Sequence, residues 1–266
     1  MELMPGRLTG KVAIVTGAAS SGPGIGIGKA ISILFAREGA HVLLVNRSEE
    51  HAAELQREIE AEGGECSTFS ADISVKEQVE AMIEAAVNRY GRLDILCNNV
   101  GIGGPGRATN LKESIWDDAI NVNLKGTMWC CKFAIPHMIE SGGGSIINVS
   151  TTAAIRGFQR GDVGFTPYSA SKAGGLGLSL AIAADYAADG IRANNLIVGA
   201  VQTPLLARLA DEARERIQAD IPMKTEGTGW DVAWAAVYLA SNESRWVTGA
   251  SIPIDGGQSM LMNFPV

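Results

Sequence analysis

The chain has 266 residues, a formal net charge of −7, 46% hydrophobic and 19% charged residues. That balance excludes a disordered or fibrous chain, and an acidic chain without a basic run is set aside as a nucleic-acid binder. No linker-like shift in composition divides residues 1–266, so one α/β domain is expected.

In chain order, Met1–Arg7 lacks the apolar h-region of a signal peptide, and no later stretch approaches the roughly 20 apolar residues of a membrane span. A cytoplasmic protein without a membrane partner is the expectation. Val12–Thr16 reads as a strand running into Gly17; Gly22, Gly24, Gly26 and Gly28 follow, then a helix over Lys29–Glu38. His41–Val45 is a second strand, ending at Asn46-Arg47. Ser48–Gly63 is a charged surface helix without a capping box, although Glu49 and Glu50 suit its N-terminus. A third strand ends at Asp72-Ile73. Ser74–Tyr90 opens with Ser-Val-Lys-Glu, which predicts a capping box, and carries Val79, Met82, Ile83, Ala86 and Val87 on one face.

Further strands are predicted at Ile95–Cys97, Ser145–Val149, Asn195–Val198 and Ser251–Ile254, separated by helical-period segments. Such alternation predicts a doubly wound, Rossmann-like parallel sheet with helices on both faces, its ligand at the C-terminal strand ends. Cys66, Cys97, Cys130 and Cys131 lack CxxC spacing and are expected to be reduced and mostly buried; adjacent Cys130 and Cys131 are expected on different helix faces. His41, His51 and His137 are scattered, so no metal site is expected.

The strand–glycine–helix segment reads as a dinucleotide site, with a flexible surface loop as the alternative. Glycines let backbone approach a pyrophosphate, and a helix N-terminus offers free N–H groups and positive partial charge. Gly17, Ser20, Ser21, Gly26 and Ile27 are the candidate contacts, with Asn46 and Arg47 at the ribose, Asp72 and Ile73 at the adenine, and Asn99 and Gly101 beyond the fourth strand. A neutral Asn46 followed by Arg47 favours NADP(H) over NAD(H), because an arginine accommodates a 2′-phosphate that a carboxylate would repel. The alternative is a solvated Arg47 with Asn46 bonding the 2′-hydroxyl of NAD(H).

Tyr168 and Lys172 lie four residues apart, hence on one helix face. A lysine beside a tyrosine is expected to lower the phenol's pKa, preparing it to exchange a proton with a carbonyl or alcohol. The predicted strand upstream is followed by Ser150, Thr151 and Thr152, any of which can steady the reacting oxygen.

Together these motifs resemble the short-chain dehydrogenase/reductase family from Gly10 to about Met260. Thr16-Gly17 with Gly26-Ile27-Gly28 is similar to its glycine motif, and Asn98-Asn99-Val100-Gly101 to its Asn-Asn-Ala-Gly. The resemblance implies an oxidoreductase acting on a small-molecule carbonyl or alcohol. It implies that Tyr168 is the acid/base and that Lys172 tunes it and holds the nicotinamide ribose. Thr203 is the implied carboxamide contact and Asn123 supports a water relay to Lys172. Counting from Asn148 puts Thr151 at the family's catalytic serine, with Ser150 supporting. A homodimer or homotetramer is also implied, through the helices around residues 110–141 and 166–189. There the small residues Ala170, Ala173, Gly174, Gly175, Gly177, Ala181, Ala183 and Ala184 permit close approach of helices or serve packing on the sheet. The alternatives are a non-catalytic dinucleotide-binding redox sensor or scaffold, and an epimerase or dehydratase relative, for which a further C-terminal substrate domain is missing.

Three departures from the family pattern stand out. Gly17 and Gly26 enclose eight residues, about five more than usual, which enlarges the phosphate loop. The Thr151–Tyr168 segment is about four residues longer. Val198-Gly199 replaces a Pro-Gly. Substrate is expected among residues 102–109, 153–167 and 204–224, against Ile102, Ile155, Phe158, Phe165, Leu205, Leu206, Leu209 and Met223, with Arg156, Gln159, Arg160 and Arg208 nearby. That lining suits an apolar or aromatic ketone or alcohol, and an acyl-carrier thioester is also open.

Overall fold

The computed structural model describes residues 6–20, 24–157, 159–160, 163–204, 206–208 and 210–260. Seven parallel strands form the central sheet: β1 (Val12–Thr16), β2 (His41–Asn46), β3 (Cys66–Ser70), β4 (Ile95–Asn98), β5 (Gly144–Thr151), β6 (Ile191–Val198) and β7 (Ser251–Ile254). Their order is β7-β6-β5-β4-β1-β2-β3. The winding direction reverses between β1 and β4, and the crevice at their C-terminal ends is where such sheets bind ligands.

Period-2 alternation assigns each strand residue to one of two cores. Ala13 and Val15 pack under α1 (Ile27–Arg37), α2 (Glu49–Ala61) and α8 (Gly229–Ala240); Val12 and Ile14 pack under α3 (Lys76–Tyr90), α5 (Thr127–Glu140) and α6 (Thr166–Tyr186). The continuous apolar strands of the sequence follow from this burial on both faces. Phe35 on α1 is fully buried; truncating such a side chain to alanine costs about 3–5 kcal/mol.

The expected capping box at Ser74 does not form. α3 starts at Lys76 behind Val75, and the Ser74 hydroxyl donates to Asp72 Oδ1 at 2.7 Å. A local carboxylate two residues back outcompetes the helix terminus for that hydroxyl. A capping box forms instead at Thr228 and Asp231, opening α8. Cys130 and Cys131 are both buried and free despite their adjacency, as are Cys66 and Cys97, because α5 is covered by the sheet and by α3.

Between α4 (Glu113–Ile120) and α5 the chain makes a π-helical turn, Asn121–Gly126, which widens the helix at Asn123. The long segment before α6 folds as a hairpin, Gln159–Arg160 antiparallel to Val163–Gly164. α7 (Asp211–Asp220) buries none of its residues. Among the described residues no helix is long and apolar enough to cross a membrane.

Candidate active site

The glycine loop is built by close approach. Gly17 turns at φ +63°, and Asn99 Nδ2 donates to its carbonyl at 3.0 Å. The N–H of Asn99 is accepted by Thr16 Oγ1 at 3.1 Å, which ties the ends of β1 and β4 together. A Cβ on Gly28 would stand 2.0 Å from the Gly17 oxygen, so α1 comes this near only with glycine there. α1 starts behind Gly26 with no side-chain cap and no acidic residue in its first turn, leaving its positive end for an anion. Ser20 Oγ is buried with no hydrogen-bond partner among the described residues, beside Gly26, whose Cβ would lie 2.9 Å away. An orphaned hydroxyl beside an uncapped helix end fits a pyrophosphate. Ile27 is half-buried at the helix start; Ser21 lies outside the described residues.

At the end of β2, Asn46 Nδ2 donates to the Ser48 carbonyl at 3.1 Å. Arg47 is exposed, its Nη1 3.6 Å from Asp72 Oδ2. Asp72 Oδ1 accepts from the Ser74 N–H at 2.9 Å and hydroxyl at 2.7 Å. Burial works to raise the Asp72 pKa, but the Ser74 hydrogen bonds and the Arg47 guanidinium outweigh it and hold the carboxyl below its ordinary value. Ile73 is buried in the core, so its side chain is committed to packing.

Catalytic candidates converge where β5 meets α6. Thr151 stands beside the Tyr168 phenol and acts on it. Burial raises the Tyr168 pKa, and the Thr151 contact acts in the opposite direction. The sequence expectation assigned the lowering to Lys172. Instead the Lys172 ammonium donates to the Val149 carbonyl at 3.0 Å, and burial brings its own pKa down to about 8. Asn123 is buried in the π-turn. Its Oδ1 accepts from the Ile102 N–H at 2.8 Å, and its Nδ2 donates to the Ile102 carbonyl at 2.9 Å and to Ser171 Oγ at 3.0 Å. That amide joins the loop after β4 to α6. Ser150 Oγ is buried without a partner among the described residues. The Thr203 hydroxyl accepts from the Leu206 N–H at 3.3 Å.

Sequence reading missed Ser171, which also donates to the Tyr168 carbonyl at 2.9 Å, and the Val149 carbonyl. A backbone acceptor has no signature in the sequence, and Ser171 is marked only by its place between Tyr168 and Lys172.

The hairpin is stitched to the Gly101–Gly106 loop: the Gly106 N–H donates to the Gly164 carbonyl at 2.7 Å, and the Thr166 N–H to the Gly106 carbonyl at 3.2 Å. A cavity of about 530 Å³ lies beside it, lined by Arg107, Ala108, Phe165, Thr166 and Ser169 among others. Ile102 and Leu206 are half-buried, but Ile155 and Met223 are exposed and form no closed pocket wall. Arg156 donates to the Gln258 carbonyl and is occupied there. Phe158, Leu205 and Leu209, and the side chains of Gln159, Arg160 and Arg208, lie outside the described residues. A second cavity of about 280 Å³, at Arg92 and His137, is at the opposite end of the strands. Among the described residues no cluster of three His, Cys, Asp or Glu side chains is placed to hold a metal.

A family model described as enoyl-(acyl carrier protein) reductase matches residues 17–259. The 3-oxoacyl-[acyl-carrier-protein] reductase FabG of Thermotoga maritima is 40% identical over 251 residues, covering 94% of this chain and 98% of that protein. The (2S)-[(R)-hydroxy(phenyl)methyl]succinyl-CoA dehydrogenase subunit BbsD of Thauera aromatica is 34% identical over 251 residues, covering 94% and 97%. The crystal structure of a Burkholderia xenovorans protein assigned to the short-chain dehydrogenases/reductases superposes with a TM-score of 0.91 at 39% identity, covering 97% of this chain and 100% of that one.

Proposed function

The chain belongs to the short-chain dehydrogenase/reductase family, and from that premise we propose that it interconverts a ketone and a secondary alcohol with NADP(H). It is an oxidoreductase acting on CH–OH groups, and a nicotinamide dinucleotide is the cofactor its relatives imply. The bound nicotinamide supplies or accepts the hydride at the substrate carbon. Gly17, Ser20, Gly26 and the first turn of α1 hold the pyrophosphate; Arg47 meets the 2′-phosphate; Lys172 and Thr203 hold the nicotinamide end.

The protein's own part is proton transfer and positioning. In reduction, the Tyr168 phenol gives its proton to the carbonyl oxygen as that oxygen becomes a hydroxyl. Thr151 hydrogen-bonds the same oxygen and steadies its developing charge. Lys172 acts at the nicotinamide end rather than on the phenol, and Asn123 holds the Ile102 backbone and supports the proton path from Lys172 to solvent. The observation that carries this reading is the buried Lys172 ammonium bonded to the Val149 carbonyl on the strand that brings Thr151 to Tyr168, beside an uncapped glycine-loop helix.

Two relatives are named for acyl groups carried on a protein or on CoA, so a 3-oxoacyl thioester is the first substrate class to test, with an aryl ketone second. Copies are expected to pair through α6, where Ala173, Gly177, Ala181 and Ala184 are exposed. The test follows NADPH and NADH oxidation with acetoacetyl-CoA and an aryl ketone panel. Turnover that Tyr168→Phe abolishes while dinucleotide binding persists is the expected result. Near-normal turnover in Tyr168→Phe would overturn the mechanism. Dinucleotide binding without turnover would return the protein to the sensor class.

A further inference from the structure

A polar row crosses the sheet at one register. Asn98 on β4, Asn148 on β5, Asn195 on β6 and Ser251 on β7 are successive cross-strand partners. Asn98 Nδ2 donates to Asn148 Oδ1 at 2.8 Å. Asn148 Nδ2 donates at 2.8 Å to Oγ of Ser179, which comes down from α6. Ser179 Oγ has two acceptors in reach, Asn195 Oδ1 at 2.7 Å and the Gly175 carbonyl at 3.1 Å, and the shorter bond goes to Asn195; Asn195 Nδ2 donates to Ser251 Oγ at 3.2 Å. Every donor points from β4 towards β7, so the bonds polarise one another along the row. Asn98, Asn148, Ser179 and Asn195 are buried. Amides in an apolar layer are costly unless satisfied, and an aliphatic row would fill the same space without that demand. The row therefore contributes direction rather than burial.

Ser179 gives that direction a use. It stands seven residues after Lys172 and eleven after Tyr168, about two and three helical turns, so the three share one stripe of α6. The facing stripe is β5: Asn148 meets Ser179, the Val149 carbonyl meets Lys172 at 3.0 Å, and Thr151 meets Tyr168. Between these contacts α6 carries Gly174, Gly175 and Gly177, which offer few large side chains to set a register, and apolar packing is itself non-directional. We propose that Ser179 is a positioning residue: held in the Asn98–Asn148–Asn195 row, it fixes the slide and rotation of α6 on β5 and so places Lys172 and Tyr168. This rests on the reading of Tyr168 as proton donor.

The test compares Ser179→Ala, Ser179→Thr and Asn195→Ala with the parent protein. It reads kcat, KM, the dinucleotide Kd, and the Tyr168 phenol titration by ultraviolet difference against the matching Tyr168→Phe protein. Burial and the Thr151 hydroxyl act on the phenol, and burial alone on Lys172, so a moved titration reports altered placement. Ser179→Ala is expected to lower kcat at least tenfold with Kd within threefold, and to shift the phenol midpoint; Ser179→Thr restores kcat to within threefold. Parental kcat with an unmoved phenol, losing thermal stability alone, would make the row merely structural and overturn the proposal. If Ser179→Ala does not fold, Asn195→Ala decides, since it leaves Ser179 bonded to Asn148 and to the Gly175 carbonyl of its own helix but cuts the tie to β6: a two- to fivefold loss of kcat supports the proposal and none overturns it. A parent without turnover would sink the functional reading, while the phenol midpoints of the parent and the folded variant still judge the row.

Discussion

A Cβ on Gly101 would stand 2.9 Å from Nζ of Lys172 and 3.1 Å from its Cε. The glycine at the end of the Asn-Asn-Val-Gly segment is thus a gap filled by the ammonium end of Lys172. Since Lys172 is buried and bonded to the Val149 carbonyl, it has little room to retreat. Gly101→Ala is expected to reduce kcat by tenfold or more, about 1.4 kcal/mol of transition-state stabilisation, while the melting temperature falls by only a few degrees. Steady-state kinetics with thermal melts check this; an unaffected kcat would show that the ammonium is free to relocate.

Burying Lys172 has a cost that depends on pH. Its pKa falls from 10.5 to about 8 by burial, which corresponds to roughly 3 kcal/mol against folding when the lysine is charged in both states. Below pH 8 that full cost applies. Between about 8 and 10.5 the unfolded chain holds the extra proton, so the parent protein gains stability as pH rises through this window. Lys172→Met is therefore expected to lose at least a hundredfold in kcat, an order-of-magnitude figure for losing the charge that holds the nicotinamide end and feeds the proton path. It should nevertheless melt no lower than the parent at pH 7. Its advantage should shrink from pH 8 to 10. Melting curves of the cofactor-free proteins across that range decide; an advantage that grew with pH would contradict the burial account.

Ser150 and Thr151 are separable by their partners. Thr151 acts on the Tyr168 phenol and accepts from the Ala153 N–H at 3.3 Å, whereas the Ser150 hydroxyl is buried with no partner among the described residues. Removing an unsatisfied buried hydroxyl is neutral or stabilising by up to about 1 kcal/mol. Ser150→Ala should keep kcat within threefold and melt at or above the parent temperature. Thr151→Ala should lose ten- to a hundredfold in kcat, and Thr151→Ser most of a power of ten less. A large kcat loss in Ser150→Ala would exchange the two roles.

Much of this was legible because it is local. Val79, Met82, Ile83 and Ala86 are buried as their spacing on α3 required, and the apolar run Val12–Thr16 became the strand beside the switch point. The Ser74 capping box failed because Asp72 stood two residues away, a competition that helix periodicity does not register. The lysine's influence on Tyr168 was misplaced for a tertiary reason: four-residue spacing puts both on one face, but Val149, from another element, captured the ammonium. The row from Asn98 to Ser251 was invisible, since its members are brought together only by strand order and register.

Arg47 and Asp72 make cofactor choice measurable. The guanidinium is exposed and lies 3.6 Å from the Asp72 carboxylate, a pair that is weak in water and weaker in salt. A 2′-phosphate carries more charge than that carboxylate and accepts charge-assisted hydrogen bonds from arginine, so it is expected to win Arg47 from Asp72. Asn46 has already turned its amide nitrogen to Ser48, which leaves its oxygen as an acceptor for a ribose hydroxyl in either dinucleotide. The parent should therefore bind NADPH at least tenfold more tightly than NADH, about 1.4 kcal/mol. Arg47→Ala should remove most of that preference by weakening NADPH alone. Asp72→Asn, which frees the arginine, should strengthen NADPH severalfold at low salt, an effect that fades by about 0.5 M salt as the Debye length shortens. Titrations following nicotinamide fluorescence measure all three. A parent that prefers NADH, or an Arg47→Ala that binds NADPH as before, would assign the ribose end to Asn46 and leave Arg47 a solvated partner of Asp72.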